Sequence, residues 1–123
     1  MKNIFLTVAL TIYPFALYAS DIPLACPTVD LVKQKSSEMD NAIPNDHTYI
    51  VTSKPVIDFK KHLWSVRTTV PARSQEDAIK LAQIVVKETS ALMTSNAIKI
   101  FNQYGCIYFS PREYVYVLTD ISG

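Results

Sequence analysis

The spacing of apolar residues changes several times along this chain, and it is most regular between Ala97 and Ser122. Ile98-Lys99-Ile100-Phe101 and then Cys106-Ile107-Tyr108-Phe109 alternate, and most of their residues are β-branched or aromatic. After Ser110-Pro111-Arg112 the alternation resumes in Tyr114-Val115-Tyr116-Val117-Leu118-Thr119. Two such runs around a short Pro-containing break predict a β-hairpin. Period 2 then places Val115, Val117 and Thr119 on one face of the return strand, and Tyr114, Tyr116 and Leu118 on the other.

Upstream the period switches to that of a helix. Ser74-Gln75-Glu76-Asp77 is a capping-box-like start, with Asp77 where Glu or Gln is more usual. Ala78, Leu81, Ala82, Val85, Thr89, Leu92 and Met93 follow at helical spacing, and Ile79 and Val86 widen the stripe. Lys80, Gln83, Lys87 and Glu88 face water, and Thr94-Ser95-Asn96 ends the helix. Before it, His62 to Val70 predicts a strand with Trp64, Val66, Thr68 and Val70 on one face, stopped by Pro71. His47 to Ser53 predicts another, and Val56 to Lys61 either extends it or forms a wide connection. Ser36 to Asp46 is polar, carries the turn signal Pro44-Asn45-Asp46, and reads as a loop. Cys26 to Lys35 predicts a short first helix, capped by Thr28, with Asp30 at its positive end and Lys33 and Lys35 at the other.

The expected architecture is therefore α+β: a small single domain in the order α-β-β-α-β-β, with an antiparallel sheet of about four strands. The long helix should cover one face, over Trp64, Val66, Val115, Val117, Ile107 and Phe109. The opposite face should gather Ser65, Arg67 and Thr69 with Tyr104, Tyr108, Tyr114 and Tyr116. Strict alternation adds Cys106 to that tyrosine face, unless a bulge at Gly105 shifts the phase.

The first twenty or so residues follow a different logic. Lys2 precedes an apolar run from Ile4 to Leu17, as in an export signal, with cleavage after Ala19. Residues 1–19 are thus expected to be a signal peptide, and 20–123 one exported domain. The competing reading, an uncleaved anchor, has Pro14 inside a run that is short for crossing a bilayer.

Composition narrows the partners. Loss of Lys2 with the signal leaves eleven bases against eleven acids, so nothing suggests a nucleic-acid footprint, a membrane surface or, after signal removal, a stable membrane anchor. Two glycines and no low-complexity tract point to a compact chain. Two cysteines in an exported protein predict one disulfide, Cys26–Cys106. A bridge closing such a loop contributes roughly 4 to 4.5 kcal/mol in the chain-entropy model. A lipidated Cys26 is the rival, but Asp21 and Pro23 interrupt the apolar run and Cys106 would lose its partner.

No catalytic or metal constellation emerges. His47 and His62 have no carboxylate or cysteine at ligand spacing, although adjacent strands could bring them face to face. No G-x-S-x-G, phosphate-cradling glycine loop or dinucleotide fingerprint is present. Lys60-Lys61-His62 is a short basic cluster able to attract an anionic group, and equally a solvated turn. Tyr104, Tyr108, Tyr114, Tyr116 and Arg67 form the candidate binding face, since tyrosine combines a large apolar body with a polar tip. The same tyrosines also suit a half-buried strand position.

Cys26-Pro27-x-Val29, the Trp64 strand, Glu76-Asp77-Ala78 in an Ala-rich helix and Cys106-Ile107-Tyr108 together resemble a family of small exported proteins. That family comes from intracellular gammaproteobacteria such as Legionella and Coxiella, and includes a member described as hemin-binding. The resemblance implies an exported, disulfide-tied α+β domain and carries no hemin site onto particular residues. Tyr104, Tyr108, His47 and His62 are the side chains able to ligate or stack on a haem. The expected function is thus a non-enzymatic binding protein, periplasmic or extracellular, that meets a protein partner or a flat apolar ligand. Hemin or another hydrophobic small molecule is the alternative, and a thiol-dependent activity at Cys106 the distant third.

Overall fold

The computed structural model describes residues 24–100 and 102–120, so the expected signal segment 1–19 lies outside the described residues. Helix α1 spans Val29–Gln34, with a 3-10 turn at Ser36–Glu38 behind it, and helix α2 spans Gln75–Lys87. The strands are β1 (Asn41–Asn45), β2 (Thr48–Thr52), β3 (Ile57–Phe59), β4 (His62–Pro71), β5 (Ala91–Leu92), β6 (Ile98–Ile100), β7 (Gln103–Phe109) and β8 (Tyr114–Thr119). They form one antiparallel sheet of eight strands in the order β1-β2-β4-β8-β7-β5, with β3 on β4 and β6 on β7. The class is α+β as expected, but the sheet has twice the expected strands and the order is α-β-β-β-β-α-β-β-β-β.

Three of the extra strands, β1, β3 and β5, share a physical cause: each is short, at an edge, and apolar on too few positions to alternate visibly. By contrast, β6 is the alternating Ile98-Lys99-Ile100 run, split from β7 by a turn at Asn102 and paired back onto it. In β1 only Ala42 is buried, and Pro44 sits in an edge strand, where a missing N–H is tolerated. That strand exists because it pairs with β2 and because Gln75 of α2 donates to the Ala42 carbonyl at 3.2 Å. The stretch around Val56 folds back as β3, through a tight turn at Lys60-Lys61, to pair with the first part of β4.

Helix α2 begins as its sequence predicts, with the Ser74 hydroxyl accepting from the Asp77 N–H at 3.1 Å. It stops at Lys87, short of the expected Thr94-Ser95-Asn96. The Thr89 hydroxyl donates to the Val86 carbonyl at 2.7 Å, and the Ser90 N–H goes to Phe109 at 2.8 Å. The chain thereby leaves the helix to pair as β5, as hydroxyl residues that compete for backbone groups allow.

The core is a two-part lid on one side of the sheet. Ala78, Ala82, Val85 and Val86 of α2 are buried, and the helix packs against β4, β2 and β1. Beneath it and along the same face lie Val51, Trp64, Val66 and Val70. Val115 and Val117 continue that face into β8 and are also fully buried. The segment carrying Cys26, Pro27 and α1, with Val32 fully buried, packs against α2 and reaches β7 through the disulfide Cys26–Cys106. Its Cα atoms are 5.9 Å apart across 80 positions of sequence. Such a bond fits an oxidising compartment.

Candidate functional site

The β7–β8 hairpin decides which side chains meet. Phe109 pairs with Tyr114 across the four residues Ser110 to Glu113, so every odd position of β7 faces an even position of β8. Tyr108 therefore opposes Val115, and Cys106 opposes Val117, on the face covered by the helices. Ile107 opposes Tyr116, and Gly105 opposes Leu118, on the outer face. This corrects the expected grouping, because a one-residue change of register exchanges the two faces of a strand. Tyr104, Tyr108 and Cys106 leave the tyrosine face, and Ile107 and Phe109 leave the helix face to join it.

Each predicted site residue then has a definite place. Tyr108 is fully buried, and its hydroxyl donates to the Pro27 carbonyl at 2.5 Å. Burial pushes its phenol above the ordinary tyrosine range, so it stays a donor. Tyr104 shares that face by register, opposite Thr119, and is 37 % exposed. Tyr114 is 47 % exposed on the outer face. Arg67 and Tyr116 are direct cross-strand partners there, both half-buried. Of the five candidates, the fold thus brings together Arg67, Tyr116 and Tyr114, and sends Tyr104 and Tyr108 to the other side. The disulfide also pulls α1 over the inner face, where it leaves the tyrosines of β8 uncovered.

Tyr108 is a structural clamp. Tyr108→Phe removes one hydrogen bond and strands the Pro27 carbonyl, which should cost about 1–3 kcal/mol in urea unfolding. Because the folded state holds the phenolic proton more tightly, this stability is complete at neutral pH. It is lost as pH climbs past the unfolded tyrosine value of about 10.

Registers across the sheet define the outer face. One row runs Asn41, Thr52, Arg67, Tyr116, Ile107 from β1 to β7. On one flank of it a second row holds Ile43 and Ile50 of β1 and β2, Thr69 of β4, and Tyr114 and Phe109 of β8 and β7. Ile43, Phe109 and Tyr114 are 51 %, 46 % and 47 % exposed, although they sit in paired strands. A third row holds Ser65, Leu118 and Gly105. A methyl group at Gly105 would collide with Leu118 and crowd the Val117 carbonyl at 3.1 Å, so the glycine is what lets Leu118 lie flat and buried. Leu118 shares the face of Tyr114 and Tyr116 as its alternation predicts, whereas sequence reasoning missed Ile107, Phe109, Ile43 and Ile50 as members of this surface. The signal for the first two was the number of residues in the turn.

His47 and His62 do not face each other. His47 lies in the turn before β2, near the Pro71 end of β4, whereas His62 opens β4. The ten residues of that strand, roughly 30 Å of extended chain, separate them. With Tyr108 buried and hydrogen-bonded, the four side chains able to engage a haem are not gathered around one point. Among the described residues no three of His, Cys, Asp and Glu cluster as a metal site, and no helix is long and apolar enough to cross a membrane. Cys106 is fully buried and oxidised, so it offers no nucleophile while the bridge is intact.

No family model, no curated protein and no solved structure matches this chain.

Proposed function

We propose that this is a non-enzymatic exported binding protein, acting in the periplasm or outside the cell, whose outer sheet face engages a protein partner. One observation carries the reading. Both described helices lie on one side of the sheet, and the other side keeps Ile43, Phe109 and Tyr114 half-exposed in the row beside the Arg67–Tyr116 pair. Contiguous apolar and aromatic surface of this kind is uncommon on a monomer without a binding role. Tyrosine and arginine are also the residues that most often anchor interfaces. The disulfide supports export, and so does the resemblance carried by Cys26-Pro27-x-Val29 and Cys106-Ile107-Tyr108. Hemin and thiol chemistry are less well supported, because their candidate residues are dispersed or buried.

Site-directed photocrosslinking in an envelope fraction tests the reading. A benzophenone side chain in place of Phe109 should give a discrete adduct, and one in place of Lys80 on the exposed side of α2 should give none. Tyr116→Ala should reduce the Phe109 adduct at least tenfold while shifting unfolding by less than about 1 kcal/mol. Equal adducts from both positions would sink the proposal.

A further inference from the structure

The turn between β3 and β4 is built from the wrong residues for its shape. Phe59 pairs with His62, which leaves Lys60 and Lys61 as the two turn residues, with φ of 55° and 67°. Two successive left-handed residues in a two-residue hairpin call for Asn-Gly or a similar pair. Elsewhere this chain complies: its other described non-glycine residues with positive φ are Asp46 and Asn102. Two lysines there store strain and place like charges side by side. Lys60 has a local compensation, since its ammonium lies 5.7 Å from the centre of the Phe59 ring. Lys61 makes no ion pair with any described residue. Its side chain instead borders a groove of about 400 Å³.

That groove has the chemistry that would give Lys61 a use. Ser65 and Gln103 supply further polar groups along it, while the exposed Leu63 supplies an apolar wall and the buried Leu118 lies behind it. Leu63 is 58 % exposed beside the turn, an unusual position for leucine in a paired strand. Asp120 also borders the groove and is already engaged in an interaction within the chain. The volume falls in the range of small-ligand pockets. We propose that this groove binds a small amphiphilic anion, its phosphate or carboxylate head held at Lys61 and its apolar body laid along Leu63. Strain held at a site that the rest of the fold fixes in place is how such positions are kept for binding. The hydrogen bond from the Trp64 indole to the Phe59 carbonyl, at 3.2 Å, is part of what fixes this turn.

Titration of the oxidised protein with octyl phosphate, inorganic phosphate and octyl glucoside, followed by amide chemical shifts, tests it. Octyl phosphate should bind saturably with shifts centred on residues 61–65 and 118, and at least tenfold more tightly than either other probe. The double variant Lys60→Asn/Lys61→Gly should melt about 4–8 °C higher, because the turn residues now suit the turn, yet bind octyl phosphate at least tenfold more weakly. Lys61→Arg should retain binding, and Leu63→Ser should weaken octyl phosphate alone. Equal affinity for all three probes, unchanged binding in the Asn-Gly variant, or binding only to anionic phospholipid vesicles would each overturn the proposal. These outcomes do not touch the partner surface around Arg67, which the photocrosslinking reads separately.

Discussion

Replacing both Cys26 and Cys106 by alanine should lower the unfolding free energy by about 4 kcal/mol, and is expected to steepen the urea dependence. The bridge closes a loop of 80 positions, for which the chain-entropy model gives roughly 4 to 4.5 kcal/mol of denatured-state restriction. A domain of this size has a total of about 5–15 kcal/mol to lose. The slope should rise because an uncrosslinked denatured chain exposes more surface. The loss should also be uneven in space. Helix α2 packs over β1, β2 and β4, whereas the segment that carries Cys26 and α1 meets β7 through the bridge and the Tyr108–Pro27 hydrogen bond. Hydrogen exchange on the variant should therefore quicken first across residues 24–35 and β7, before α2 and β4. A loss of under about 1 kcal/mol would mean that packing alone seats this segment, and the two-part lid would be the wrong description.

How much of this was legible in the sequence follows from where each signal resides. The α2 stripe of Ala78, Ala82 and Val85 and the Trp64-Val66-Thr68-Val70 face of β4 are strong periodic patterns, and both are buried where they should be. Cysteine parity gave the bridge without any geometry. The short strands escaped because Asn41–Asn45 and Ile57–Phe59 owe their form to the strand beside them, which no local pattern records. The candidate site suffered most from a matter of parity. Alternation within β7 and within β8 was right, but the faces of the two strands are related only through the turn. Counting Glu113 into that turn moves Tyr108 to the core and Phe109 to the surface. Arg67, Tyr114 and Tyr116 survived because their mutual placement runs through β4 and β8 alone.

Trp64→Ala should be the most damaging single truncation of a core side chain, at about 3–5 kcal/mol by urea unfolding followed in the far ultraviolet. Trp64 heads the fully buried side chains by volume and lies between Ile57 of β3 and Thr119 of β8 in the sheet. Its loss opens a cavity under the sheet and also leaves the Phe59 carbonyl without its indole donor. Trp64→Phe separates the two contributions: it keeps most of the volume and should recover more than half of the loss. The neighbouring Leu63 provides the contrast. Pointing to the outer face and 58 % exposed, it should tolerate Leu63→Ala within about 0.5 kcal/mol. The two substitutions are one residue apart on one strand, so their ratio measures the difference between the two faces directly. If Leu63→Ala proves as costly as Trp64→Ala, something covers the outer face in the folded chain, and the surface around Arg67 and Tyr116 is not available to a partner.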